Sequence, residues 1–192
     1  MPSTEPRDDG DSARRPDTSL TASAVTTRFE RRLASGHWLL ASAPIVPAAM
    51  SSWKENGAAY LIPGGLFCAV MIPAAVMHAA AEGDSPQACA GRIADVLEGP
   101  VFYDPSAFRQ EGGYTAILPA SAALVWRVPS TVLHPSRRLL LVPAPDRCEP
   151  VGGRPWWVVP LESPGLLCAP QLVACFAGLG RRRIVPAGGE LQ

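Results

Sequence analysis

A chain of 192 residues with 47% hydrophobic content has the length and apolar material for one domain with a proper core. Seventeen basic residues balance seventeen acidic ones, and the imbalance is local: residues 1–24 carry a net −2 and the remainder a net +2. That is too little positive charge to argue for a nucleic-acid binder on electrostatics alone, and the polar, charged start lacks the apolar stretch of a secretory signal.

Residues 1–24 are rich in Asp, Ser, Thr, Pro and Arg, with one leucine. Such a composition cannot bury enough apolar area to offset ordering, so a disordered tail is expected there. From Val25 the pattern changes. Val25, Phe29 and Leu33, then Trp38, Leu39 and Leu40, recur at helical spacing, with Arg28, Glu30, Arg31 and Arg32 on the other face. Pro44 and Pro47 are expected to end this helix.

Residues 58–62 read as a short strand closed by Pro63-Gly64-Gly65, and residues 66–72 as a strand buried on both faces. Pro73 then suits the start of a helix through Ala81. The uncharged run from Leu61 to Ala81 is long enough to span a bilayer, but its prolines and the Gly-Gly pair break it into pieces, so no membrane segment is expected. A turn at 82–86 precedes a helix over 87–97. Strands are expected at 100–103, 114–118, 123–128, 139–142 and 156–159. A closing helix covers 170–179, with Gly180 just past its end, Arg181, Arg182 and Arg183 beyond, and a flexible terminus over 186–192. Helices alternating with short strands indicate an α/β or α+β fold, a small mixed sheet with flanking helices over residues 25–185.

The chemistry-bearing residues are sparse. Five cysteines, none in a CxxC pair, fit neither a zinc site nor a disulfide framework, and a reduced, cytoplasmic set of thiols is expected. Three histidines are far apart, and a Cys68–His134 nucleophile pair has no motif behind it. Cys68 lies in an apolar run that should raise its pKa. Sixteen arginines against one lysine read as coding bias. Arg181–Arg183 complement a helix dipole, and with Arg137 and Arg138 they offer a phosphate-facing patch. Trp156 and Trp157 should place one ring on each face of their strand, one in the core and one exposed to anchor a partner.

Four segments carry a resemblance. They are the helix ending Trp38-Leu39-Leu40-Ala41-Ser42-Ala43-Pro44, followed by Trp53; the strand–turn–strand from Leu61 to Val70; the stretch Gly112-Gly113-Tyr114-Thr115-Ala116-Ile117-Leu118-Pro119; and Gly152-Gly153-Arg154-Pro155-Trp156-Trp157-Val158-Val159-Pro160. In this order they resemble the N-terminal domain family of bifunctional DNA primase/polymerases, in particular its short, stand-alone actinobacterial type. The resemblance implies acids on adjacent strands, holding divalent metals for nucleotidyl transfer. Here they are missing. No acid occurs from Asn56 to Ala81 or from Gly112 to Pro145, the strand expected to bear them reads Phe67-Cys68-Ala69-Val70-Met71-Ile72, and the phosphate-contacting histidine that the resemblance implies falls near Tyr114 or Thr115. Asp146 or Glu149 is at best a stand-in for the third acid. Cys68 cannot replace a carboxylate for a hard cation. The expectation is a non-catalytic interaction module, with no metal or cofactor, that takes a protein partner or a second copy of itself. The alternative is a nucleotide- or nucleic-acid-binding protein whose remnant cleft is built from Gly64, Gly65, Cys68, Gly112, Gly113 and Thr115.

Overall fold

The computed structural model describes residues 27–184; the tails expected at 1–24 and 186–192 lie outside them. The chain is α+β, with short antiparallel sheets flanked by helices. Helix α1 (Arg28–Leu40) opens on a capping box, in which Thr27 Oγ1 accepts from the Glu30 amide (3.2 Å) and the Thr27 amide donates to Glu30 Oε2 (2.6 Å). It ends before Pro44, as expected, but Pro47 terminates nothing. It sits in the first turn of a second helix, α2 (Val46–Asn56), where a missing amide hydrogen costs nothing. That helix was not legible as one, because Pro44 and Pro47 read as breakers. Gly57, in the left-handed conformation, closes it.

Strand β1 (Ala58–Leu61) leads through the Gly64-Gly65 turn to β2 (Phe67–Pro73), then α3 (Ala74–Ala81), α4 (Pro86–Leu97) and β3 (Val101–Asp104). A single turn, α5 (Ala107–Gln110), precedes β4 (Gly113–Pro119). Next come β5 (Val132–Leu133), β6 (Leu140–Pro143), β7 (Trp156–Val159) and α6 (Pro170–Ile184). The strand expected over 123–128 does not form. Residues Ala120–Leu124 make a 3-10 turn, and Trp126 to Thr131 close a hydrogen-bonded loop: Trp126 Nε1 donates to Thr131 Oγ1 (2.9 Å), which donates to the Val128 carbonyl (2.7 Å).

Five strands form one sheet in the order β5-β2-β4-β3-β7, and β1 pairs with β6 in a separate ribbon. Every ladder is antiparallel. Because side chains alternate along a strand, β2 serves two cores. Cys68, Val70 and Ile72 face the layer of α3, α4 and α6, against Met77, Ile93, Val173 and Phe176. Phe67 and Ala69 face the other way, with Leu39 of α1, Leu61, Leu140, Val142 and Trp157. The expectation of a strand buried on both faces is met, and the run from Leu61 to Ala81 is divided between two strands and a helix. Among the described residues no helix is long and apolar enough to cross a membrane.

Helix α6 does not stop before Gly180. It continues to Ile184, and Gly180 is buried where it crosses α3, so close that any Cβ would overlap the Val76 carbonyl oxygen. This glycine is a contact surface between helices rather than a helix terminator.

Candidate functional site

The expected remnant cleft does not exist as one site. In the β2–β4 ladder Phe67 pairs with Pro119 and Pro73 with Gly113, so the Gly64-Gly65 turn and the Gly112-Gly113 turn lie at opposite ends of the strand pair, about 20 Å apart at 3.3–3.4 Å per residue. Gly112 (φ 80°) fits against the Tyr103 hydroxyl, Gly113 fits against the Phe108 ring, and the Gly112 carbonyl accepts from the Ala74 amide. That turn is structural. Cys68 and Thr115 are buried, and the Cys68 thiol donates to the Pro119 carbonyl at 3.3 Å. Burial raises the Cys68 pKa. No hydrogen bond among the described residues joins Cys68 to His134, whose Nδ1 lies 3.1 Å from the Pro135 carbonyl oxygen.

Gly64 and Gly65 do share a cleft with one predicted arginine. Ser42, Pro63, Ser136 and Arg137 line the same open depression of about 550 Å³, held by hydrogen bonds from the Arg137 amide to Pro63 and from the Gly64 amide to Phe67. Arg138 is exposed and lines none of the clefts described here. The expected patch joining Arg137 and Arg138 to Arg181–Arg183 is not formed as one surface. Arg181 and Arg182 line a different groove, opposite Arg127. Arg183 pairs with Glu82 and donates to the carbonyls of Ala79 (2.9 Å) and Ala80 (3.1 Å), fastening α6 to the end of α3.

Trp156 and Trp157 point to opposite faces, yet both are buried, at 5% and 1% exposure. Trp157 stands edge-on to Phe102 and donates to the Ala144 carbonyl at 3.1 Å; Trp156 packs against Tyr103. Neither ring is exposed as an anchor: Trp157 packs in one core with Leu61, Leu140 and Val142 of the β1–β6 ribbon, and Trp156 borders a cleft with Pro86, Gln87 and residues 150–154.

Among the described residues, the carboxylates outside the acid-free segments do not converge on β2, which has no open face. Asp104 Oδ1 accepts from both the amide (2.8 Å) and the hydroxyl (2.7 Å) of Ser106. Asp146 and Glu149 line a surface cleft with Arg32, Lys54 and Arg147, beside the C-terminal end of α2. Among the described residues no three His, Cys, Asp or Glu side chains are grouped as metal ligands.

One polar cluster escaped sequence reasoning. His78 Nε2 lies 3.0 Å from the Tyr114 hydroxyl, and Cys89 of α4 is buried in the same core cluster as that tyrosine. Burial lowers the His78 pKa, opposed by Asp84, and raises those of Cys89 and Tyr114. All three groups are therefore held neutral near pH 7, which makes them a core network and not an activated thiolate. No local motif marks it, since its members come from three elements.

A group of exposed apolar residues lies on α1 and at the start of α2. Phe29 is 74% exposed, Leu33 51%, Ile45 64% and Met50 53%, with Val46 beside them. Between the helices runs an apolar groove of about 220 Å³, walled by Leu33, Leu40, Met50, Trp53 and Pro145. The helical stripe read from Phe29 and Leu33 is thus amphipathic, but its first half turns away from the core. Against known proteins, no family model, curated protein or solved structure matches the chain.

Proposed function

We propose that this chain is a non-catalytic interaction module of primase/polymerase-like descent that associates with a second copy of itself through α1 and α2. The exposed apolar face of these helices carries the reading. Scattered single apolar residues are ordinary on a surface, but a contiguous patch beside a groove marks an interaction site. Leu33 and Met50 wall the groove with Leu40, Trp53 and Pro145, and exposed Phe29 lies one helical turn before Leu33. Knob and hole on one face suit a twofold contact, in which each copy fills the other's groove. The descent rests on the order of the four sequence segments, and the loss of catalysis on a β2 without carboxylates or an open face. Five free cysteines support a cytoplasmic setting.

Light scattering on the eluting full chain tests the reading. The mass should rise from 20.3 kDa toward twice that value with concentration, and Leu33→Asp with Met50→Asp should hold it at the lower value. A wild-type chain that stays monomeric throughout overturns self-association. Metal-dependent primer extension by the purified protein would overturn the non-catalytic reading.

A second reading, nucleotide or nucleic-acid binding without polymerase chemistry, is favoured by one observation: the Gly64-Gly65 turn and Arg137 share a cleft. A salt titration of single-stranded DNA binding, with Arg137→Glu as control, checks it; absent or salt-independent binding removes it.

A further inference from the structure

Independently of the α1–α2 reading, we propose that the groove between α6 and the 127–129 segment is a phosphate-binding site for a small organic phosphate monoester. The groove is open, of about 650 Å³, and is lined by Ala174, Gly178, Arg181 and Arg182 of α6 facing Arg127, Val128 and Pro129. Three arginines from two distant segments thus border one cavity, and among the described residues no carboxylate lines it. Bringing like charges together costs free energy unless an anion offsets it.

The ordinary reason for arginines at this place covers only part of the observation. Basic residues in the last turn of a helix complement its dipole, which accounts for Arg181 and Arg182 but not for Arg127 on the opposite wall. Arg183 is the contrasting case, tied to Glu82 and to two α3 carbonyls. Arg127 is instead held by the loop itself. One of its Nη atoms donates to the Trp126 carbonyl (2.6 Å), and the loop is fixed by the Trp126–Thr131–Val128 hydrogen bonds. An arginine has five N–H donors in a rigid fork, so donors remain for an oxyanion. Arg182 lies over Gly178 on the facing wall.

The floor decides the ligand class. Val128, Pro129, Ala174 and Gly178 offer an apolar surface next to the charges, which suits a compact organic group carrying a dianion. A nucleic-acid strand calls for cations spread along a track and for aromatic rings to stack its bases. Among the described residues the lining holds one cluster of cations and no aromatic ring.

Titration calorimetry on the full chain, with phenyl phosphate as the probe, tests this. Phenyl phosphate should bind saturably and more tightly than inorganic phosphate. Arg127→Gln and Arg181→Gln should each weaken it about tenfold or more, the scale of a lost charge-assisted hydrogen bond. Arg127→Lys, which keeps the charge and loses the fork, should fall between, and Arg183→Gln should bind as wild type; thermal melts confirm that each variant is folded. No saturable binding, or binding indifferent to Arg127→Gln, overturns the site. Equal affinity for inorganic phosphate overturns an organic ligand. A phosphoserine peptide that binds more tightly than phosphoserine overturns a small-molecule ligand. An oligothymidylate that displaces phenyl phosphate with a log–log salt slope of about −2 or steeper assigns the groove to nucleic acid instead.

Discussion

Two helix pairs in this chain handle their apolar surface in opposite ways. Helices α3 and α6 cross at Gly180, close enough that the Val76 carbonyl fills the place of a side chain, and Val76, Met77, Ala80, Val173, Phe176 and Ala177 are all buried. Helices α1 and α2 bury Leu39, Leu40 and Ala49, yet leave Phe29, Leu33, Ile45 and Met50 largely in water. The first pair uses its small residues for close approach and buries most of its large apolar side chains. The second has more apolar surface than its one inward face can use. Surplus of this kind adds nothing to the stability of the monomer, and it is what an association face requires.

If that contrast is right, the two faces of α1 should respond very differently to truncation. Leu39→Ala, at a fully buried position, should cost about 3 kcal/mol in urea denaturation. Gly180→Ala should cost about 2 kcal/mol, since the clash with a backbone carbonyl outweighs the gain in helix propensity; thermal melting checks it. A neutral or stabilising Gly180→Ala would break the account of the α3–α6 crossing.

The third expectation concerns pH. Burial lowers the His78 pKa in the folded chain below its ordinary 6.5, so the unfolded chain takes up the proton more readily. Stability is therefore whole above about pH 6.5 and declines as pH falls below it, toward the folded-state pKa. Tyr114, Cys89 and Asp84 are the titratable groups facing His78. His78→Gln should flatten this slope, as read by denaturation midpoints between pH 7 and 5. Glu30, whose pKa is lowered by its bonds to Thr27, contributes in a separate window, losing its share only as pH falls from 4.5 through the folded value. In the alkaline direction, burial pushes the Cys168 thiol up to about 12, so its share of stability, whole below the unfolded thiol range, is lost as pH rises through the folded value.

The smallest effect is the most telling. Leu33→Asp or Met50→Asp should change monomer stability by no more than about 0.5 kcal/mol while abolishing association, because neither side chain is in a core. A large loss of stability would show that these residues belong to the fold and would remove the contrast.

Much of this was decided by local chemistry. The apolar run Phe67–Ile72 reads as a doubly buried strand because nothing in it tolerates water, and the absence of carboxylates there is a fact of the sequence. Helix α1 follows from its apolar spacing, and α3 and α4 start at prolines. What periodicity cannot supply is a partner. It places Phe29 and Leu33 on one stripe with Leu40, but only packing decides which part of the stripe meets a core. It puts a tryptophan on each side of β7, but only the packing on both sides decides that both are buried. It reads Gly180 as an end because a glycine near basic residues ordinarily is one, and only the crossing with α3 makes it a contact. The glycine turns and arginine runs were visible one by one, and their grouping was not. Strand register separates Gly64 from Gly112, and a loop without any local motif sets Arg127 against Arg181 and Arg182. Distances between residues far apart in the chain are properties of the tertiary structure, because they depend on how the layers stack and not on what any single segment prefers.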